Sequence, residues 1–211
     1  RNGNAAQNGT EAGLGGWTVY LDCDADGSLD AGEHSTVTAA DGSYRFNGIG
    51  PGSYHVSLIG QDGFTRTTSA VVAFPMTSGL QADADFGVNA LPTLAAIGDA
   101  LVDEGDSVAF GATGTDGAGD SLVYTLVGDH HGATVDASTG AFHWDALDGN
   151  ASAGFTLRVT DSAGGQAERS FTVTVANVAP SLTLSGAASV TDDQDFVLDL
   201  ASSDPGQDTL S

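Results

Sequence analysis

Residues Trp17 to Thr38 read W-T-V-Y-L-D-C-D-A-D-G-S-L-D-A-G-E-H-S-T-V-T. The central stretch, Asp22 to Glu33, puts acidic side chains at positions one, three, five, nine and twelve and glycine at six, the spacing of a calcium loop. A hard dication takes six to eight oxygens. Asp22, Asp24 and Asp26 offer them from a tightly turning backbone, Ser28 through its carbonyl, Asp30 directly or through water, and Glu33 as the bidentate terminus. Gly27 permits the turn, and Leu29 is expected to anchor it by apolar contact. Without an ion, carboxylates a few ångströms apart repel by about 1 kcal/mol per pair in water, and by more where water is excluded. The flanks decide the fold. Trp17, Val19 and Leu21 alternate against Thr18 and Tyr20, the period of a strand. A calcium loop between strands holds a structural ion, whereas a sensor loop opens a pair of helices.

Upstream, counting back from Glu11 as position twelve places Asn2, Asn4 and Asn8 at positions three, five and nine of a second, weaker calcium loop. Ala5 stands where glycine is preferred, and position one would precede Arg1, which implies a chain that begins inside a domain. An Asn/Gly-rich disordered leader is the competing reading of this stretch.

Downstream, short alternating runs separated by D-G-S, G-P-G and Q-D-G turns predict strands at 17–22, 34–39, 43–47, 53–59, 70–74 and 83–88. Tyr44 and Phe46, then Tyr54, Val56 and Leu58, are expected in the core. Further along, Leu122/Tyr124/Leu126, Phe155/Leu157/Val159 and Phe171/Val173/Val175 alternate in the same way. Asn89 to Leu122 aligns without a gap onto Asn177 to Leu210 at an offset of 88 residues: N-A-L-P-T-L matches N-V-A-P-S-L, Asp116 and Asp120 match Asp204 and Asp208, and Leu122 matches Leu210. A domain-sized period implies tandem β-sandwiches joined by short Asn-x-x-Pro linkers. The expected layout is all-β, with domains at 1–89 and 90–177 and an incomplete copy at 178–211.

Composition excludes whole classes of function. The chain has 211 residues, a formal net charge of −23, and 40% hydrophobic residues, enough for packed cores. The charge repels phosphate, so no nucleic acid or anionic membrane is expected as partner. Among the acids Asp outnumbers Glu 24 to 4, a bias that suits turns and calcium loops. A salt-adapted surface would account for the charge as well. All five basic residues are Arg, so Lys–Asn cross-links are impossible, and Cys23 has no partner for an internal disulfide. No apolar run is long enough for membrane insertion.

Residues 1–59 resemble the SdrD B-like domains of bacterial surface adhesins, through N-G-N, E-A-G-L-G-G-W-T-V-Y-L-D, D-A-D-G-S-L-D-A-G-E, T-A-A-D-G-S-Y-R-F-N-G-I and G-P-G-S-Y-H-V. The resemblance implies a prealbumin-like β-sandwich, with Asp22, Asp24, Asp26, Asp30 and Glu33 as calcium ligands. The following unit resembles dystroglycan-type cadherin-like and immunoglobulin-like repeats of secreted bacterial proteins, through V-D-E-G-D-S-V-A-F, T-D-G-A-G-D-S-L-V-Y-T-L, G-A-T-V-D-A-S-T-G-A-F-H-W and F-T-L-R-V-T-D-S-A-G-G. In cadherin-like arrays, carboxylates near domain ends hold junction calcium, which nominates Glu104, Asp116, Asp120, Asp161 and Asn177. Plain turn formation is the alternative for Asp116 and Asp120, because Ala118 replaces the central acid of that turn.

His130, His131, His143 and Asp136 are the one grouping suggestive of transition-metal or acid–base chemistry. They lack a third ligand at suitable spacing and a nucleophile setting, so no enzyme is expected. The sequence therefore points to a calcium-stabilised stalk or spacer of an extracellular bacterial surface protein, with neighbouring domains or identical subunits as partners. Two other readings are a fibre subunit joined by strand complementation through Phe196, Leu198 and Leu200, and an adhesive module whose host or cell-surface ligand the loops do not select.

Overall fold

A computed structural model describes residues 12–69, 71–76, 84–117, 119–146, 148–186, 189, 191–193 and 195–206. The Asn2/Asn4/Asn8/Glu11 loop, Ala118 and Asp208 lie outside them. Every regular element among the described residues is a strand, and the chain is all-β. It forms two compact units, one of residues 1–93, 115–122 and 160–167, the other of 94–114, 123–159 and 168–211.

In the first unit, β1 (Thr18–Asp22), β2 (Ser35–Val37), β3 (Gly52–Leu58) and β5 (Val71–Met76) form one antiparallel sheet in the order β2-β1-β3-β5; β4 (Phe64–Arg66) pairs with β6 (Val88–Ala90). Val19 stands opposite Thr36 on one side and Leu58 on the other, and Leu21 opposite Val56. The alternation read from Trp17 onward is thus a buried face. Trp17, Val19, Leu21, Val56, Leu58, Ala84 and Val88 fill the core, with Tyr44, Phe46 and Tyr54 packed partly against it.

Two expectations fail locally. Residues 43–47 form no ladder. Their alternation records a side-chain face only: the Tyr44 and Phe46 rings meet edge to face at 5.9 Å, and the Tyr44 hydroxyl donates to the Ala84 carbonyl at 2.6 Å. The strand expected at 83–88 is replaced by the short Val88–Ala90, whose partner Phe64–Arg66 is exposed throughout and shows no alternation in sequence.

The remaining strands are β7 (Thr93–Leu94), β8 (Ala100–Asp103), β9 (Ser107–Gly111), β10 (Gly114–Thr115), β11 (Val123–Val127), β12 (Thr134–Val135), β13 (Ala141–Asp145), β14 (Ala151–Thr160), β15 (Gln166–Ala176), β16 (Ser181–Gly186) and β17 (Leu198–Ser203). A three-stranded sheet, β12-β13-β9, faces a four-stranded one, β11-β14-β15-β8. Aromatic rings pin them together: Phe110 stacks on Phe142 at 4.9 Å, Phe155 stacks on Phe171 at 5.4 Å, and Phe142 meets both Phe155 and Phe171 edge to face at 5.3 Å. Such offset and T-shaped pairs add to the hydrophobic gain of burying the rings.

The repeat survives in three dimensions. Thr93 and Thr115 share a hydroxyl–hydroxyl bond of 2.7 Å on the β7–β10 ribbon, and their counterparts 88 residues on, Ser181 and Ser203, share one of 2.7 Å on β16–β17. The packing differs: Leu94 is 2% exposed, whereas its counterpart Leu182 is 67% exposed.

Candidate metal centre

Strand β1 delivers Asp22 to the loop already buried, at 1% exposure, and Leu21 N–H to His34 O at 2.8 Å closes the neck between the flanking strands. Within the loop the acidic oxygens accept from the loop's own backbone. Asp22 Oδ2 accepts from Gly27 N–H (2.9 Å), Asp26 Oδ1 from Ser28 N–H (2.7 Å), and Glu33 Oε1 and Oε2 from Cys23 N–H (2.6 Å) and Asp30 N–H (3.0 Å). These bonds need a backbone that passes through left-handed conformation at Ala25 (φ 63°), Gly27 (84°) and Gly32 (102°). Glycine adopts that region freely, and Ala25 does so at a cost.

The wrap brings one ligand oxygen each from Asp22, Asp24 and Glu33 within 4.8 Å of one another, and likewise from Asp24, Asp26 and Asp30. Asp24 belongs to both groups, so the five acids form one continuous cluster. The repulsion is visible on Asp30, whose carboxyl is held above the ordinary carboxylate range first by the charge of Asp26, then by some desolvation and the charges of Asp24, Glu33 and Asp22. Asp22 Oδ1 is buried without a hydrogen-bond partner. An all-oxygen cluster with surplus negative charge and a bare buried oxygen fits a hard dication in ligand chemistry and spacing. Ser28 enters the described bonding through its N–H, and Leu29 is exposed rather than anchoring the loop.

The five residues nominated for a junction ion fall into two sets. Ligand oxygens of Asp116, Asp120 and Asp161 lie within 4.8 Å of one another. Asp161, 5% exposed, accepts through Oδ1 from Ala163 N–H (2.9 Å) and Gly165 N–H (2.7 Å), and through Oδ2 from Asn89 Nδ2 (2.8 Å). Asn89 is fully buried, and its Oδ1, like Asp120 Oδ2, has no hydrogen-bond partner. Asp116 also holds its turn, accepting Asp120 N–H at 3.3 Å, so turn formation and ligand geometry coexist there. Glu104 is not in this group; its Oε1 accepts Val178 N–H at 2.8 Å, and Asn177 Nδ2 donates to the Val178 carbonyl at 3.4 Å.

Residues 1–91 match the family model of the SdrD B-like domain. Residues 91–176 match that of the Putative Ig domain. Loop 22–33 thus lies in the SdrD B-like part, and Asp116, Asp120 and Asp161 lie within the Ig-domain match. Among solved structures, the chain is similar to a nucleoside hydrolase-related hypothetical protein from Saccharophagus degradans (19% identity, TM-score 0.34, covering 41% of this chain and 26% of that one). It is also similar to protocadherin gamma B7 extracellular cadherin domains 1–4 (11%, 0.38, 96% and 49%) and to human CDH23 EC21–23 (14%, 0.36, 95% and 80%). The chain therefore spans about a quarter of the length of the first of these and half of the second. No curated protein matches it.

The histidines do not assemble. Among the described residues no histidine joins a three-ligand group. His143 faces Thr134 across the β12–β13 ladder, and the His131 carbonyl accepts Trp144 Nε1–H at 2.8 Å. Asp136 is a turn residue, its carboxyl held below the ordinary range by hydrogen bonds from Thr139 and Ser138. Asn89 escaped the sequence reading, although its repeat counterpart Asn177 was nominated; the 88-residue alignment carried the signal.

Proposed function

We propose that the chain is a calcium-stabilised structural segment, a stalk or spacer, of an extracellular bacterial adhesin or surface fibre. The observation that carries this reading is the acidic wrap of loop 22–33, in which Asp24 links two groups of carboxylates and Asp22 Oδ1 is buried without a hydrogen-bond partner. The role is mechanical: the ion offsets the repulsion among five carboxylates and fixes the loop between β1 and β2. Millimolar extracellular calcium occupies even the weak sites of such modules, with Kd on the order of 10⁻⁴ to 10⁻³ M. The matches to the SdrD B-like and Ig-domain families support a repeat-built structural role. Among the described residues no helix is long and apolar enough to cross a membrane.

Thermal melts in calcium and in chelator test the proposal. At calcium one hundred times Kd, mass action stabilises the folded state by about 2.7 kcal/mol. Asp24→Ala/Glu33→Ala should lose the loop's share of that gain. A melting temperature indifferent to calcium would sink the reading.

The β16–β17 ribbon favours a second reading, association of identical subunits by strand addition. Leu182, Leu184, Phe196, Val197, Leu198 and Leu200 are all exposed, an apolar face of the kind that strands from another chain cover. Sedimentation equilibrium separates the two, because a strictly monomeric chain over the micromolar range excludes self-association through that face.

A further inference from the structure

We propose that the Asp148–Gly149 step is a site of spontaneous covalent modification, where Asp148 closes to a cyclic imide, reopens as isoaspartate and thereby loosens the chain at Asn177. Neither loop 22–33 nor any metal enters the reaction, so it stands or falls apart from the function proposed above. Ring closure needs an aspartyl carboxyl, a following residue without a side chain, and a backbone nitrogen that can reach Cγ. The chain has five Asp–Gly steps, at Asp26, Asp41, Asp62, Asp116 and Asp148. In two of them the fold turns the glycine nitrogen to another acceptor: Gly27 N–H donates to Asp22 Oδ2 at 2.9 Å, and Gly42 N–H to the Ala39 carbonyl at 2.8 Å. At Asp148 it does the opposite. Gly149 N–H donates to Oδ1 of Asp148 itself at 3.0 Å, so the attacking nitrogen is held in hydrogen-bond contact with the carboxyl it attacks. Asp148 is exposed, in the connection between β13 and β14, where water reaches it.

With the carboxyl protonated, the Gly149 nitrogen attacks Cγ; the N–Cγ bond forms, the nitrogen gives up its proton, and one carboxyl oxygen leaves as water. Water then adds to either ring carbonyl. Opening at the Cγ–N bond restores aspartate, whereas opening at the former peptide C–N bond leaves isoaspartate, whose main chain runs through Cβ and Cγ and is one atom longer. The net change is an isomerisation that needs no oxidant or reductant. The fold has little room for the added atom. A Cβ on Gly149 would lie 2.5 Å from Glu104 Oε2 and 2.5 Å from Asn177 Cα. Gly149 thus bears on the residue before Val178, whose N–H Glu104 Oε1 accepts at 2.8 Å. Lengthening the backbone at Asp148 shifts that contact, so a slow covalent mark becomes a loss of order where the 178–211 copy begins. The new α-carboxylate is also the chemical group that isoaspartyl methyltransferases recognise.

Peptide mapping of the full chain, aged in buffer at physiological temperature and probed with an isoaspartyl methyltransferase, tests this. In the folded chain, isoaspartate at 148 should accumulate roughly tenfold or more faster than at 26 and 41, as expected where the reacting groups are already positioned. In urea the three rates should converge. The peptide mass should stay unchanged, which separates the reaction from deamidation at Asn–Gly steps. The rate should fall from mildly acidic to neutral pH, because only the protonated carboxyl loses water. Asp148→Ser should remove the signal, and Asp148→Asn should give the same isoaspartate faster, with release of ammonia. Aged chain enriched in the isoaspartyl form should lose amide-exchange protection at Val178, while Asp148→Ser aged in parallel keeps it. A folded-state rate at 148 no higher than at 26 and 41, or an Asp148→Asn variant that yields no isoaspartate, would overturn the site. Equal protection of Val178 in the aspartyl and isoaspartyl forms would overturn its coupling to the linker.

Discussion

Loop 22–33 and the pocket around Asp161 both collect carboxylates, and they do so by opposite means. In the loop, Asp24, Asp26 and Asp30 are exposed, and neighbouring N–H groups a few residues away satisfy many of the oxygens. In the pocket, Asp161 and Asn89 are buried and meet across 72 residues of chain, and bare oxygens remain on Asn89 and Asp120. Exposed like charges are screened by water and salt and persist with or without an ion; buried ones are not. On the proposed reading the loop is a site that an ion would tighten, whereas the pocket is built into the fold around one carboxylate.

The largest effect expected from this contrast is at Asp161. Asp161→Ala strands three donors, the N–H groups of Ala163 and Gly165 and the Asn89 amide. Leaving buried donors unpartnered costs about 1–3 kcal/mol each, so the total loss should be roughly 3 kcal/mol or more, in calcium and in chelator alike. Asp24→Ala should cost nothing in chelator, because it removes repulsion. Urea denaturation of both variants with and without calcium checks the pair. A loss at Asp161 that vanished in chelator would erase the distinction, since the pocket would then depend on an ion in the way proposed for the loop.

The same contrast explains what the sequence revealed. The acidic cluster of loop 22–33 is legible because all five carboxylates lie within one twelve-residue loop, where spacing encodes geometry. The buried faces of β1, β3, β14 and β15 were legible because period-two alternation is what a half-buried strand requires. Asn89 was read as linker, because a polar residue beside a proline turn carries no mark of burial. Glu104 and Asn177 were grouped with Asp161 because all lie near domain ends, and sequence position alone does not divide residues between two pockets. The alternation at 43–47 reported inward-facing rings correctly and a ladder wrongly, since the partner strand that makes a ladder is invisible from one segment. Phe64–Arg66, short and exposed, had no period to read.

A smaller effect sharpens the loop's side of the contrast. Ala25 holds φ at 63°, a left-handed conformation that its Cβ disfavours. Ala25→Gly should stabilise the calcium-loaded protein by up to about 1 kcal/mol, the strain outweighing the added freedom of the unfolded glycine. The same substitution at Ala163, whose N–H serves the buried Asp161, removes no such strain, because Ala163 is absent from the left-handed residues. Melting temperatures at saturating calcium compare the two. A destabilised Ala25→Gly would mean that the loop's backbone is held by its own side chains and not by the ion.

The smallest effect concerns Asp30 and is read from its pH dependence. Asp26 above all, with some desolvation and the other loop acids, raises the Asp30 carboxyl above its ordinary value of 3.8. A carboxyl whose folded pKa exceeds its unfolded one binds more protons folded than unfolded. Its ionisation therefore lowers stability as pH rises through that window, and the penalty is absent below the unfolded value. In chelator at neutral pH, Asp30→Asn should melt slightly above the parent, and the gap should close as pH falls through the carboxylate range. Because Asp30 is exposed, molar salt should shrink it as well. In calcium the order should reverse, since the substitution removes a charged ligand. A gap of constant sign and size across pH and calcium would mean that position 30 acts through the shape of the turn, and the loop would then resemble the buried pocket in being held by geometry rather than by charge.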